Sequence, residues 1–199
     1  MYRENKMNIT EQYDKHSKTK SDINEHLPTL FEYAQKNNHI TEFGTRWGAS
    51  TWSFLNARPE KLISYDIKRT KYVDNIELCA NKANIDYHFY EADTLEIEIE
   101  QTDLLFIDTF HSYAQLISEL KLHNNKVNRY IIVHDTNTYG QKDMPYVGPI
   151  SKKIEVLKKQ YNKQGLMNAI EDFILDSNEW QIKKIFKNNN GLTILEKQL

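Results

Sequence analysis

Residues 41–51 read "TEFGTRWGAST", and what this stretch connects decides the fold. The run "HITEFG" (39–44) has the composition of a strand, and "STWSFLNA" (50–57) has the spacing of a helix. Between them Gly44 and Gly48 mark a tight turn in which backbone can approach a ligand closely. A dinucleotide fingerprint needs glycines two and then three apart, so that a diphosphate can reach the helix N-terminus. Here Arg46 and Trp47 stand where such a turn must be compact, and the carboxylate of Glu42 would repel a diphosphate. A ligand with an ammonium and a sulfonium end would instead gain from that carboxylate.

The alternation continues on both sides of the turn. Upstream, "SDINEHLPTLFEYAQK" (21–36) carries apolar residues at helical spacing, with Pro28 suited to a first turn, so a helix is predicted over about 28–36. Downstream come "KLISYDI" (61–67), the helical "YVDNIELCANKA" (72–83), "YHFYEAD" (87–93) and "DLLFIDT" (103–109). A helix then opens at Ser112, with Gln115 in capping-box spacing, and "YIIVHDT" (130–136) follows. Repeated strand-helix-strand units with right-handed crossovers give an α/β, doubly wound, mostly parallel sheet covered on both faces. After the turn-rich "TNTYGQKDMPYVGP" (136–149) and further helical pattern to about 176, "EWQIKKIFK" and "GLTILEK" are joined by "NNNG" (188–191), the signal for a C-terminal antiparallel hairpin. Residues 1–20 show no periodicity and are expected to form a flexible N-terminal arm, leaving 21–199 as a single domain.

Bulk properties narrow the partners. With 26 Lys and Arg against 28 Asp and Glu, the net charge of -2 argues against nucleic acid, whose recognition usually leaves a strongly basic face. Cys79 is the lone cysteine, so no internal disulfide forms and a reducing, cytoplasmic setting is expected. The longest apolar runs, "LLFI" and "YIIV", are too short for a bilayer, and no membrane role is expected. The lysine-rich "SKKIEVLKKQYNKQ" (151–164) reads as a solvated helix face. A small-molecule partner fits these properties, and a homodimer through exposed helices or the terminal hairpin is compatible with them.

In an open parallel sheet, ligands sit at the carboxyl ends of the strands near the point where strand order reverses. Asp66 ends the second strand about twenty residues past the glycine turn, where a carboxylate can accept from both ribose hydroxyls. Asp93 ends the third and can accept from an adenine amino group, with Thr94 beside it. Either aspartate could instead cap the helix that follows. Together "EFGTRWGAST", "ISYDI", "EAD", "LLFIDTFHSY", "YIIVHDT" and "NNNGLTILE" resemble the class I S-adenosylmethionine-dependent methyltransferases, and more narrowly their cephalosporin hydroxylase-like branch. The resemblance implies seven strands in the order 3-2-1-4-5-7-6 with the last reversed, a Rossmann-like class I methyltransferase fold. It also implies S-adenosylmethionine as cofactor, with Glu42, Gly44, Gly48, Asp66 and Asp93 lining its pocket and Thr45, Ser50, Ile67 and Thr94 as further contacts.

For the chemistry, the ends of the fourth and fifth strands place Asp108, His111, His134 and Asp135 near the expected methyl group. Methyl transfer needs alignment of an acceptor and, where its pKa is high, removal of its proton. His134 or His111 could be that base, oriented by Asp108 or Asp135. The resemblance also brings in a divalent metal, Mg, on Asp108 and Asp135; His134 stands where another acidic ligand is expected, which favours a softer ion such as Mn or iron. His26 is the other histidine that could pack over the cofactor, although a local role near its helix start explains it equally well. The reaction implied is O-methylation of a small-molecule or sugar-like acceptor entering beside residues 137–150. The competing readings are a metal-assisted hydroxylase-like enzyme and a non-catalytic binding module.

Overall fold

Parallel strands buried on both faces need apolar residues at odd and even positions alike, and this chain supplies them. In the computed structural model, which describes residues 8–146 and 151–198, the strands are β1 (His39–Phe43), β2 (Lys61–Asp66), β3 (Asp86–Glu91), β4 (Thr102–Ile107), β5 (Val127–His134), β6 (Trp180–Phe186) and β7 (Leu192–Lys197). They form one seven-stranded sheet in the order β3-β2-β1-β4-β5-β7-β6. β1 pairs in parallel with β2 and β4, β2 with β3 and β4 with β5, whereas β7 is antiparallel to both β5 and β6. The doubly wound sheet and the C-terminal hairpin are as the sequence predicts.

The helices are α1 (Ile9–Lys18), α2 (Leu27–Ala34), α3 (Ala49–Asn56), α4 (Val73–Lys82), α5 (Tyr113–His123), α6 (Ile154–Tyr161) and α7 (Leu166–Asp176). Two separate cores show which face each one covers. Ile40, Leu62, Leu104, Phe106, Ile132 and Ile194 meet Leu27, Leu30, Phe54, Leu55 and Ile76 from α2, α3 and α4. Phe43, Ile63, Leu105, Ile107, Ile131 and Val133 meet Leu116, Ile117 and Leu120 of α5 and Ala169, Ile170 and Phe173 of α7. Alternate residues of the same strands thus feed opposite layers.

Residues 1–20 need correction. A flexible arm is the expectation, yet Ile9–Lys18 is a helix with a capping box, in which the Asn8 side chain accepts from Glu11 N–H and the Glu11 side chain accepts from Asn8 N–H. Ile9 is buried, the Tyr13 ring lies 5.4 Å from that of Phe31, and Thr10 donates to Asn56. So few apolar contacts suffice because the helix lies along others already packed; its apolar residues share one face, but they are so few among polar ones that the helix is hard to see in sequence. Residues 1–7 of the expected arm lie outside the described residues, as do 147–150 of the expected entrance loop.

Candidate functional site

The turn after β1 is built by its glycines. Gly44 has φ of 89°, and a Cβ there would collide with the Asp108 carbonyl, so β1 and β4 can end side by side only with glycine at this position. Gly48 (φ 82°) opens α3, and a Cβ would strike the Ile76 side chain. Arg46 between them also has positive φ, 44°. The turn is held by Asp66, whose Oδ2 accepts from the backbone N–H of Thr45 and of Arg46, both at 2.8 Å.

Glu42 is not exposed at the turn. It is fully buried beneath the turn, and its carboxyl accepts from Ser50 (2.6 Å), Thr51 (2.8 Å) and Ser64 (2.5 Å) hydroxyls. Burial pushes its pKa up to about 7 against the pull of those hydrogen bonds. The expectation that Glu42 and Ser50 contact the cofactor is therefore corrected: Ser50 spends its hydroxyl on Glu42, because α3 packs straight onto the end of β1. Gly48 and the buried Thr45 likewise shape the turn from behind.

In front of the turn, a cavity of about 450 Å³ opens over the carboxyl ends of β1 to β4, at the reversal of strand order. Of the residues named from sequence, Gly44, Asp66, Ile67, Asp93, Thr94 and Asp108 line it. Its wall also contains residues that sequence reasoning missed as site residues: Arg46, Tyr65, Ala92, Thr109, Phe110, Gln115, Met144 and Ser151. Gln115 carried the nearest signal, through its spacing from Ser112. The Ser112 hydroxyl does cap its backbone N–H, but the Gln115 side chain bonds Glu119 and Thr94 instead of the helix start. Asp93 Oδ1 accepts from Leu95 N–H, a local turn that leaves the residue on the wall.

Asp108 links this cavity to a cluster of charged groups at the ends of β4 and β5. His111 Nε2 lies 3.1 Å from Asp108 Oδ1 and 2.9 Å from Asp135 Oδ2. His134, fully buried, puts Nδ1 at 3.5 Å from each of these oxygens without a hydrogen bond to either. Asp135 takes the left-handed backbone conformation, φ 61°, which turns it back toward His111. The His111 ring stacks on Tyr139 at 5.0 Å. Behind His134, the buried His26 packs edge-on at 5.6 Å and donates from Nε2 toward the carbonyls of Asn188 and Asn189 in the β6–β7 turn.

Burial opposes charge on all four cluster members, but their mutual attraction outweighs it. His111 is raised to about 9 by hydrogen bonds to Asp108 and Asp135, and His134 to about 10 mainly by the charge of Asp108. Asp135 is held down at about 2, and Asp108 lies well below the usual carboxylate range. The two carboxylates thus favour the charged form of both imidazoles. The same groups also suit a cation. One atom from each of Asp108, His111 and Asp135 lies within 4.8 Å of the others, and His111 Nδ1, Asp135 Oδ1 and both His134 nitrogens are buried without hydrogen-bond partners among the described residues. Two carboxylates and an imidazole fit a borderline ion such as manganese better than magnesium.

No protein-family model matches the sequence, and no curated protein matches it. Solved structures do share its fold. A putative caffeoyl-CoA O-methyltransferase from Staphylococcus aureus aligns with TM-score 0.60 and 14% identity over 96% of this chain and 99% of that one. The O-methyltransferase TomG from Streptomyces achromogenes, in complex with S-adenosylmethionine, aligns with TM-score 0.60 and 12% identity over 96% and 89%. The Podospora anserina methyltransferase PaMTH1, bound to S-adenosylhomocysteine, aligns with TM-score 0.58 and 13% identity over 96% and 88%. A ribosomal protein methylase and a 16S rRNA methylase share the fold as well. The chain thus has the Rossmann-like class I methyltransferase fold.

Proposed function

We propose that this protein is an S-adenosylmethionine-dependent methyltransferase that acts on an oxygen of a small-molecule or sugar-like acceptor. The observation that carries the reading is the position of Asp108, which is at once part of the cavity wall and a member of the histidine-aspartate cluster. A cofactor in the cavity has Asp66 for its ribose and Asp93 for its adenine, and the cluster can hold an acceptor hydroxyl at its inner end. The fold neighbours crystallised with S-adenosylmethionine or S-adenosylhomocysteine support that choice of ligand.

The chain's own part in the reaction is positioning, which can lower the barrier of an in-line displacement substantially. Asp108 and Asp135 orient His111, and the cluster fixes an acceptor oxygen. Where Asp108, His111 and Asp135 hold a divalent metal, Mn by their chemistry or Mg by resemblance, the ion supplies Lewis acidity that lowers the acceptor's pKa. The finer placement in the cephalosporin hydroxylase-like branch rests on the same stretches as the resemblance itself, from "EFGTRWGAST" to "NNNGLTILE", and a metal-assisted, hydroxylase-like reaction is the second reading that Asp108, His111 and Asp135 favour. The near-balanced charge of -2 supports a small acceptor over nucleic acid. Among the described residues no helix is long and apolar enough to cross a membrane.

Calorimetric titration of the full chain with S-adenosylmethionine and, separately, with NAD tests this reading. Saturable binding of the first alone, weakened tenfold or more in Asp66→Ala, is expected. Absence of S-adenosylmethionine binding with and without divalent metal refutes the methyltransferase reading and leaves the non-catalytic binding module.

A further inference from the structure

A second cavity, of about 390 Å³, adjoins the same glycine turn and shares no wall residue with the first. Its size falls within the roughly 300–1,000 Å³ of small-molecule pockets. Trp47 of the turn, Trp52 of α3 and Tyr72 just before α4 form its aromatic wall. Facing them, α1 presents Gln12, Lys15 and His16, which at spacings of three and four residues share one face of the helix. Ile9 and Tyr13 of the same helix serve packing instead.

Charge and exposure in this cavity narrow the ligand. Trp47 and Tyr72 are 50% and 43% exposed, so two flat apolar faces stand uncovered. Aromatic faces also attract cations, but cations are already in place: the Arg46 guanidinium lies 3.9 Å from the Trp47 ring and the Lys71 ammonium 5.5 Å from that of Tyr72. Lys15 adds a third positive group, forms no ion pair with any described residue, and no Asp or Glu lines the cavity. His16 adds no charge at neutral pH, because burial and the neighbouring Lys15 hold its pKa below the ordinary value. Trp52 is 3% exposed, yet its indole N–H makes no hydrogen bond to a described residue and is not among the polar atoms sealed from solvent, as that of Trp180 is. Gly48 leaves it uncovered, since a Cβ there would lie 3.6 Å from the nitrogen. An indole nitrogen only donates, so this wall asks for an acceptor.

We propose that this cavity is a second binding site, for a flat aromatic carboxylate whose ring lies against Trp47 and Tyr72 and whose charge is held by Lys15, with the Trp52 N–H as a further donor. A cationic ring is repelled by the three positive groups, and a neutral one gains the stacking without the ion pair. The inference stands apart from the reading of the first cavity. The two sites meet at adjacent residues of one turn, since Arg46 lines the first cavity and Trp47 the second.

The test is titration of the isotope-labelled full chain with benzoate, benzyl alcohol and benzylammonium while the indole N–H resonances of its three tryptophans are followed by nuclear magnetic resonance. Benzoate is expected to move the Trp47 and Trp52 signals saturably and to leave that of Trp180, which packs on Phe173 in the core, in place. It should bind about threefold to fivefold more tightly than the alcohol, and the ammonium more weakly than either. Lys15→Met, on the exposed side of α1, should remove the advantage of benzoate and leave the affinity for the alcohol as it was. Trp47→Ala should weaken both, with thermal melting of each variant to report folding. Benzoate that leaves Trp52 unmoved, equal affinity for the three probes, or an advantage that survives Lys15→Met each overturns the inference. Benzoate binding that S-adenosylhomocysteine abolishes by competition places the probe in the first cavity and overturns it as well.

Discussion

Two single residues carry strong physical constraints that can be measured. Gly44 sits at φ 89° against the Asp108 carbonyl, so Gly44→Ala meets both backbone strain and a collision. It should cost on the order of 2–3 kcal/mol in chemical denaturation and weaken ligand binding, because the ends of β1 and β4 must part. Glu42 tests electrostatics. Its folded pKa, about 7, is above its ordinary value of 4.5, so its contribution to stability is fully present below the unfolded value and is lost as pH rises through about 7. Glu42→Gln has no such dependence. The stability of Glu42→Gln relative to wild type should therefore improve by roughly 2–3 kcal/mol between pH 5 and pH 9, read by urea unfolding at each pH. A constant difference would mean that Glu42 is ionised throughout, held by its three hydroxyl donors. Gly44 was legible as a close-approach glycine; the burial of Glu42 was not, because a carboxylate two residues before the turn reads equally as a ligand contact.

At the scale of elements, the strands and helices from residue 27 onward follow their patterns closely, and α1 is the exception. Its residues are polar on the whole and Ile9 alone among them is buried, although the few apolar ones do share one face, while its capping box ties Asn8 to Glu11. Asn8→Ala should cost about 1 kcal/mol locally and speed amide hydrogen exchange over residues 9–12 without changing exchange in β1 or β4. Uniform acceleration throughout would mean that α1 is integral to global stability. The β6–β7 turn shows a second relationship invisible in local pattern. "NNNG" signals a hairpin, but its Asn188 and Asn189 also bind Glu25, Ser21 and His26, which lie more than 160 residues earlier. The turn thereby backs His134 through His26.

For the whole molecule, the site depends on elements converging at one end of the sheet. Asp108 and His111 follow β4, Asp135 follows β5, and the cluster forms only because those strands are neighbours in register. Manganese at a hundred times its dissociation constant should stabilise the wild type by about 2.7 kcal/mol, seen as a higher melting temperature. Asp108→Asn combined with Asp135→Asn should abolish that shift while leaving a folded protein. No shift in the wild type would leave the four groups as ion pairs, with positioning by imidazolium and carboxylate alone.

Fold class and the residues at strand ends were legible in the sequence, since period-two and helical apolar patterns are local consequences of burial, whereas strand order came only through the resemblance to class I methyltransferases. Gly44, Asp66, Ile67, Asp93, Thr94 and Asp108 line the cavity because each lies at or just past a strand's carboxyl end, which the fold class orients. Tertiary structure decided which polar groups face the cavity and which turn inward. Glu42 and Glu119 are both acidic and both near the site, yet both are buried behind it. A sequence records that a carboxylate is present; its solvation, partners and protonation depend on what distant segments place around it.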